Sequence, residues 1–207
     1  MMSGKRWGYV VQFFCLLVFF GMSPFLIKMD GRKTMSVSSD SVRSQNVSDE
    51  VKPVVALTFD DGPNASSTPI LLDGLKERKV RATFFLIGEN VEKDENEKIV
   101  KRMYEEGHLI GNHTYTHCNL SKLETGEAKK ELEQTDTVIE KITGKQPVFV
   151  RAPYGELPVD SEQDLNRIYI GWTVDPLDWM TEDAGAVVKT VVEEINPGDV
   201  ILLHDCY

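Results

Sequence analysis

Cysteine is scarce in this sequence, which excludes one class of protein. Only three cysteines occur among 207 residues, too few for a small secreted domain built on a framework of disulfide bonds. Cys15 lies within an apolar run, so a bridge in the rest of the chain would have to join Cys118 to Cys206. Such a bridge is an option outside the cell, and two unbridged thiols are the interpretation that we favour.

Basic residues are few relative to acidic ones. The chain has 23 Lys and Arg against 33 Asp and Glu, a formal net charge of −10 at pH 7. Residues 53–207 hold 16 of these bases and 29 of the acids, and 16 minus 29 is −13. Because so acidic a surface repels a phosphate backbone, we expect no nucleic-acid partner. Solubility is the simpler explanation of the same charge.

One long hydrophobic run lies near the N-terminus. Residues 7–27 are almost wholly apolar, with Gln12 as the one strongly polar member. At a rise of about 1.5 Å per residue the run can span the roughly 30 Å hydrocarbon core of a bilayer. Lys5 and Arg6 precede it, as in an export signal. Since no small-x-small cleavage site follows cleanly, we predict an uncleaved transmembrane signal-anchor, with residues 1–6 in the cytoplasm. A cleaved signal and a secreted protein are the alternative.

The segment after this run lacks apolar periodicity. Residues 28–52 include six serines between Thr34 and Lys52 and contain no pattern that could bury a core. We therefore predict a Ser-rich linker over 28–52, followed by one catalytic domain over 53–207.

In residues 53–207, short apolar runs alternate with amphipathic stretches. The predicted strands are 54–59, 82–87, 109–112, 148–151, 168–174 and 200–204. The predicted helices are 68–78, 96–106, 125–143 and 184–196. Continuous apolar strands that alternate with helices predict an α/β fold with a parallel sheet covered by helices, either an open sheet or a barrel.

Two adjacent acids and two histidines four residues apart are the most informative residues. Asp60 and Asp61 follow the first predicted strand, and His113 and His117 follow the third. One carboxylate and two imidazoles can bind a divalent cation and leave a coordination position for water, as catalytic metal sites do. The second acid could then take a proton from that water. The sequence therefore predicts a metal-assisted hydrolase, although Asp-Asp-Gly-Pro alone also favours an ordinary turn.

More polar residues follow other predicted strands. Arg151, Asp175 and His204 each come at or just after the end of one of them. The carboxyl ends of parallel strands meet at one edge of a sheet, which is where barrel active sites are built. We expect these side chains to lie near the acids and histidines.

Five motifs, in this order, resemble the polysaccharide deacetylases of carbohydrate esterase family four, the NodB-homology domain. They are Thr58-Phe59-Asp60-Asp61-Gly62-Pro63, His113-Thr114-Tyr115-Thr116-His117, Arg151-Ala152-Pro153-Tyr154-Gly155, Asp175-Pro176-Leu177-Asp178-Trp179 and Leu202-Leu203-His204. The resemblance covers residues 53–207. It implies a distorted (β/α) barrel of parallel strands with fewer than eight units, preceded here by the predicted transmembrane helix.

The resemblance also implies a divalent metal and the removal of acetyl groups from amino sugars. Asp61, His113 and His117 would bind the metal, and Asp60 would be the general base that takes the proton of water. Zinc is the first choice, but an Asp-His-His site also accepts cobalt or nickel.

The remaining motifs imply further roles. Arg151 would pair with the base and keep it ionised, and the backbone N–H of Tyr154 would stabilise the oxyanion. His204 would be the general acid, oriented by a hydrogen bond to Asp175. A buried histidine that merely ends a core strand is the alternative for His204.

Two apolar motif residues are expected to line the substrate pocket. Trp179 and Leu202 would wall the space that receives the acetyl methyl and the sugar, with plain core packing as the alternative. The sequence departs from the family pattern after His204, because only three residues follow it. We therefore expect the C-terminal unit of the family fold to be missing.

The leading functional hypothesis is an extracytoplasmic, membrane-tethered N-deacetylase whose partner is a glycan. Peptidoglycan N-acetylglucosamine is the first choice of substrate, with N-acetylmuramic acid, chitin-like polymers and other surface polysaccharides open. The alternatives are an esterase that removes O-acetyl groups from xylan-type glycans, and a non-catalytic glycan-binding or structural protein on the same fold.

Overall fold

The computed structural model describes residues 54–93, 95–158 and 166–206. The predicted signal-anchor over 7–27 and the linker over 28–52 lie outside these described residues. Among the described residues, no helix combines the length and the apolarity needed to cross a bilayer.

Six parallel strands form one sheet in the order β5-β4-β3-β2-β1-β6. They are β1 (Ala56–Asp60), β2 (Thr83–Leu86), β3 (Leu109–Asn112), β4 (Phe149–Val150), β5 (Ile168–Tyr169) and β6 (Val200–His204). All six lie within or next to predicted strands, and the prediction of an α/β fold with a parallel sheet is confirmed.

Helices alternate with the strands, as the sequence pattern predicts. They are α1 (Thr68–Arg78), α2 (Gly88–Val91), α3 (Asn96–Glu105), α4 (Thr125–Thr143) and α5 (Ala184–Glu194). Gly144 caps the C-terminus of helix α4. Its φ of 72° is left-handed, a conformation that glycine adopts without steric cost. The short helix α2 was not predicted.

The predicted strand over 168–174 is divided between two neighbours. Its first part is β5, which pairs with β4. Val174, at its other end, bridges to Ile201 of β6, and the amide of Leu202 donates to the Val174 carbonyl at 2.9 Å. The two edges of the sheet thus approach each other, and the six strands form a partial barrel.

The main core lies between the sheet and helices α1, α3 and α4. Its fully buried members include Leu72, Phe84, Leu86, Val100, Met103 and Ile139. Burial of each such side chain contributes roughly 1.5–3 kcal/mol. This packing fixes the strand register, in which Asp60 of β1 lies beside His204 of β6. The core therefore brings the ends of distant sequence motifs to one edge of the sheet.

Candidate active site

The turn after β1 places two acids in different environments. Asp60 ends the strand and is buried, whereas Asp61 adopts a left-handed φ of 71°. The carbonyl of Asp61 accepts a 2.7 Å hydrogen bond from Asn90 Nδ2, and the carbonyl of Pro63 accepts one from Asn96 Nδ2 at 3.2 Å. These two amide side chains hold the turn so that the carboxylate of Asp61 faces the histidines of the loop after β3.

Three side chains offer ligand atoms for one cation. Asp61 Oδ1 lies 3.3 Å from His113 Nε2 and 3.2 Å from His117 Nε2, and the three atoms lie within 4.8 Å of one another. Asp61 Oδ1 is buried, and no hydrogen bond reaches it from the part of the chain that the structure describes. A buried carboxylate oxygen normally has one, so a cation among these atoms fits its surroundings. The donor set is one that zinc accepts.

Protonation of these groups also suits a cation. Burial alone would raise the pKa of Asp61, but the neighbouring histidines, His113 above all, lower it overall. Burial lowers the pKa of His117, and the nearby His113 lowers it further. An ionised carboxylate and a neutral imidazole are the forms that bind metals.

His113 is oriented by a backbone group. Its Nδ1 lies 2.7 Å from the carbonyl oxygen of Arg151. Since a carbonyl only accepts hydrogen bonds, Nδ1 carries the proton, and the lone pair of Nε2 faces Asp61. The 113–117 segment is a loop here, and the two imidazole centroids lie 5.1 Å apart.

Asp60 pairs with the buried Arg151, as the sequence predicted. Arg151 is 1% exposed, and its Nη1 donates to Asp60 Oδ1 at 2.8 Å and to Thr58 Oγ1 at 2.7 Å. Its other nitrogens donate to the carbonyls of Ile170 and Gly171. The Nε, Nη1 and Nη2 atoms of Arg151 therefore all donate hydrogen bonds. The second carboxylate oxygen of Asp60, Oδ2, lies 3.7 Å from His113 Nε2.

The prediction that Asp175 orients His204 is wrong. His204 Nδ1 lies 2.7 Å from Asp178 Oδ1, and its backbone amide donates to Asp178 Oδ2 at 2.8 Å. Asp175 instead accepts from the amide of Leu177 at 2.9 Å, a turn-forming contact. The reason is the left-handed φ of 55° at Leu177, which reverses the chain and turns Asp178 towards β6.

The charge of Asp178 determines the protonation of His204. Burial alone would lower the pKa of His204, but the hydrogen bond and charge of Asp178, together with Asp61 and Asp60, raise it above its ordinary value. A raised pKa favours the protonated imidazole, the form that a proton donor requires.

The three predicted substrate residues have different environments. Tyr154, in a short 3₁₀ turn over Pro153–Gly155, is 65% exposed, and its ring centroid lies 4.9 Å from that of His117. Trp179 is 51% exposed. Leu202 is buried within β6. The first two thus have ring surface available to a ligand, and Tyr154 borders the candidate metal ligands.

Asp205 was not singled out from the sequence. It is buried, its Oδ2 accepts from Thr68 Oγ1 at 2.7 Å, and burial raises its pKa to about 6. A Cβ at Gly62 would lie 2.2 Å from Asp205 Oδ1. In the sequence, its position directly after His204 is the feature that could have pointed to Asp205. Asp205 packs against the turn that carries Asp61, so it supports that turn.

The two thiols near the site are not bridged. Cys118 and Cys206, both among the described residues, are not joined by a disulfide. Cys206 Sγ lies 3.8 Å from Asp61 Oδ2. The absence of a bridge agrees with the interpretation favoured from the sequence.

Comparison with known proteins gives one consistent family. A sequence profile of the polysaccharide deacetylases matches residues 48–170. A peptidoglycan-N-acetylglucosamine deacetylase of Bacillus cereus is 44% identical over 156 residues, which are 74% of this chain. The chain spans 56% of the length of that relative.

Solved structures agree with the sequence matches. The peptidoglycan deacetylase PdaC of Bacillus subtilis superposes with a TM-score of 0.72 at 39% identity, covering 77% of this chain and 78% of that one. A family 4 acetyl xylan esterase of Clostridium thermocellum, in complex with a cobalt ion, gives a TM-score of 0.69 at 34% identity, with 73% of each chain covered.

Proposed function

The chain belongs to the polysaccharide deacetylase family, and from this premise we propose that it is a metal-dependent N-deacetylase of a cell-wall or surface polysaccharide. Peptidoglycan N-acetylglucosamine is the substrate we favour, because the Bacillus cereus relative is named for it. The observation that carries the proposal is the convergence of Asp61, His113 and His117 beside the Asp60–Arg151 pair.

The candidate ligands fit a divalent cation, with zinc as the first choice and cobalt or nickel as alternatives. When bound by Asp61, His113 and His117, the cation would polarise the acetamide carbonyl and lower the pKa of water. The 2.7 Å contact from His113 Nδ1 to the Arg151 carbonyl fixes the ring for this purpose.

Two side chains beside the candidate ligands are proposed to move protons. Asp60 Oδ2 takes the proton of the attacking water, while Arg151 holds Oδ1 by a hydrogen bond. His204 Nε2 gives a proton to the departing amine nitrogen, and Asp178 holds Nδ1. The acetamide C–N bond breaks, and the products are acetate and a free amino sugar.

Three groups are proposed to contact the substrate. The backbone N–H of Tyr154 donates to the oxyanion that develops at the acetamide oxygen. The exposed rings of Tyr154 and Trp179 present flat apolar surface to the sugar. Leu202, which is buried within β6, is proposed to close the end of the acetyl pocket.

We also propose that the enzyme works at the outer face of a membrane. Residues 7–27 would anchor it as a signal-anchor, residues 28–52 would link it to residues 53–207, and the catalytic part would face the wall. Secretion after signal cleavage is the alternative.

Acetate release tests the proposed reaction. The full chain in detergent with zinc is expected to release acetate from acetylated peptidoglycan and from chitooligosaccharides. Asp60→Asn keeps the ligands but removes the base, so release should fall by about 10²–10⁴-fold with zinc still bound. Glycan binding without acetate release by the parent chain would contradict the proposal and favour a non-catalytic protein.

A second reaction has one specific observation in its favour. The structural similarity to an acetyl xylan esterase makes O-acetyl ester hydrolysis the competing activity. Acetate release from acetylated xylan at a higher kcat/KM than from acetylated glucosamine oligomers would favour that esterase activity.

A further inference from the structure

The loop that carries both histidines has an unusual backbone conformation. Thr114 has a φ of 66° and His117 a φ of 57°. Neither residue is glycine, and a left-handed φ costs of order 1–3 kcal/mol at such positions. It is most unfavourable at a β-branched residue such as Thr114. The conformation therefore persists only because surrounding groups hold it.

One side of the loop is held by backbone amides of helix α2 and by β3. The amide of Gly88 donates to the Thr114 carbonyl, and the amide of Glu89 donates to the Tyr115 carbonyl, both at 3.0 Å. The amide of Thr114 donates to Asn112 Oδ1 at 2.8 Å. A Cβ at position 88 would lie 2.4 Å from Tyr115 Cδ2, so this close approach requires glycine.

The other side of the loop is held by one carboxylate. Glu131, on helix α4, accepts at Oε2 from the amides of Tyr115 at 3.0 Å and Thr116 at 2.9 Å. Its Oε1 accepts from Thr116 Oγ1 at 3.1 Å. Hydrogen bonds to an ionised acceptor are roughly twice as strong as neutral ones. Three such bonds converge on the stretch between His113 and His117.

We propose that Glu131 is a positioning residue of the candidate metal site. It holds the loop in the left-handed conformation that brings His117 Nε2 within 3.2 Å of Asp61 Oδ1. Without these hydrogen bonds the strain at Thr114 and His117 is relieved by rotation of the backbone, which moves the second imidazole away. Glu131 thereby sets metal affinity without touching the metal. This inference rests on the proposed metal-dependent function.

The test compares removal of the carboxylate with its conservative replacement. Glu131→Ala removes all three hydrogen bonds. Glu131→Gln removes the charge, but its carboxamide oxygen can still accept from both amides while its NH₂ donates to Thr116 Oγ1. Glu133→Ala, on the same helix, removes an exposed glutamate that pairs with Lys129 at 3.5 Å, and it serves as the matched control.

Zinc affinity of the full chains is measured by competition with a chromogenic chelator, beside the Tm of the metal-free proteins. Groups that orient metal ligands typically change affinity by about 10–100-fold, so Glu131→Ala should bind zinc that much more weakly. Glu131→Gln should recover most of the loss, and Glu133→Ala should match the parent. The visible spectrum of the cobalt-loaded protein should change in Glu131→Ala only.

Several outcomes overturn the inference. If Glu131→Ala binds zinc as the parent does and only its Tm falls, Glu131 is a stabilising residue alone. If Glu131→Gln is as weak as Glu131→Ala, loss of charge rather than of hydrogen bonds explains the effect. If the parent releases acetate and binds zinc but no variant differs from it, this inference fails and the proposed function stands. A parent that binds no zinc overturns both.

Discussion

Replacement of Asp178 by Asn should lower the pH above which the enzyme loses activity. In the parent, Asp178 Oδ1 lies 2.7 Å from His204 Nδ1, and the two side chains are 15% and 12% exposed. An opposite charge this close raises a histidine pKa by about 1–3 units. The environment of His204 accordingly raises its pKa above the ordinary value. Asn keeps the shape of the side chain but removes the charge and one of the two acceptor oxygens.

We therefore expect the pKa of His204 to fall in Asp178→Asn, because the charge that raises it is lost. The general acid must be protonated, so kcat/KM decreases as pH rises through this pKa. In the variant that decrease should begin at a lower pH than in the parent, with activity restored on further acidification. Asp175→Asn is the matched control, because Asp175 accepts from the Leu177 amide and not from the imidazole.

The assay is acetate release across a pH series at substrate concentrations far below KM, for the parent chain and both variants. An alkaline limb that stays in place in Asp178→Asn would refute the assignment of the proton donor. A limb that moves in Asp175→Asn instead would restore the pairing expected from the sequence.

Three further outcomes are expected. Gly62→Ala puts a methyl 2.2 Å from Asp205 Oδ1, so the free energy of unfolding measured in urea should fall by about 1–3 kcal/mol. Gly126→Ala is the control, because a methyl there meets open space and should not lower this free energy. Equal effects of the two variants would contradict the close packing of Asp205 against the turn after β1. Arg151→Lys keeps the charge but loses the bonds to two part-buried carbonyls, so the free energy of unfolding should fall by roughly 1–3 kcal/mol, together with kcat; an unchanged free energy of unfolding would contradict the role given to these bonds. Removal of metal by a chelator should abolish acetate release and lower Tm, with zinc restoring both; full activity after exhaustive chelation would rule out metal dependence.

Local pattern was enough to predict most of the sheet and where the site lies. The strands over 109–112 and 200–204 match their predicted bounds, because continuous apolar runs end there at polar residues. Parallel strands put their carboxyl ends at one edge, so Asp60 and His204 were expected to be close, and they are neighbours in register. Helix α4 was predictable because its apolar face repeats over five turns and ends at Gly144.

The structural features that could not be predicted depend on backbone conformations and distant contacts that no local sequence pattern indicates. Two acids flank Leu177, and only its left-handed φ decides that Asp178, not Asp175, faces His204. Helix α2 has four residues, too few for a periodic pattern. The role of Glu131 depends on contacts with a loop fifteen residues away in sequence, which no local pattern contains.

The proposed function requires Asp61, His113 and His117 to share one cation. The decisive experiment is a crystal structure of the protein grown with zinc, with diffraction data collected above and below the zinc absorption edge. We predict one anomalous peak at about 2.0–2.2 Å from Asp61 Oδ1 and from the Nε2 atoms of both histidines. Zinc bound elsewhere, or no peak among these three atoms at saturating zinc, would contradict the account.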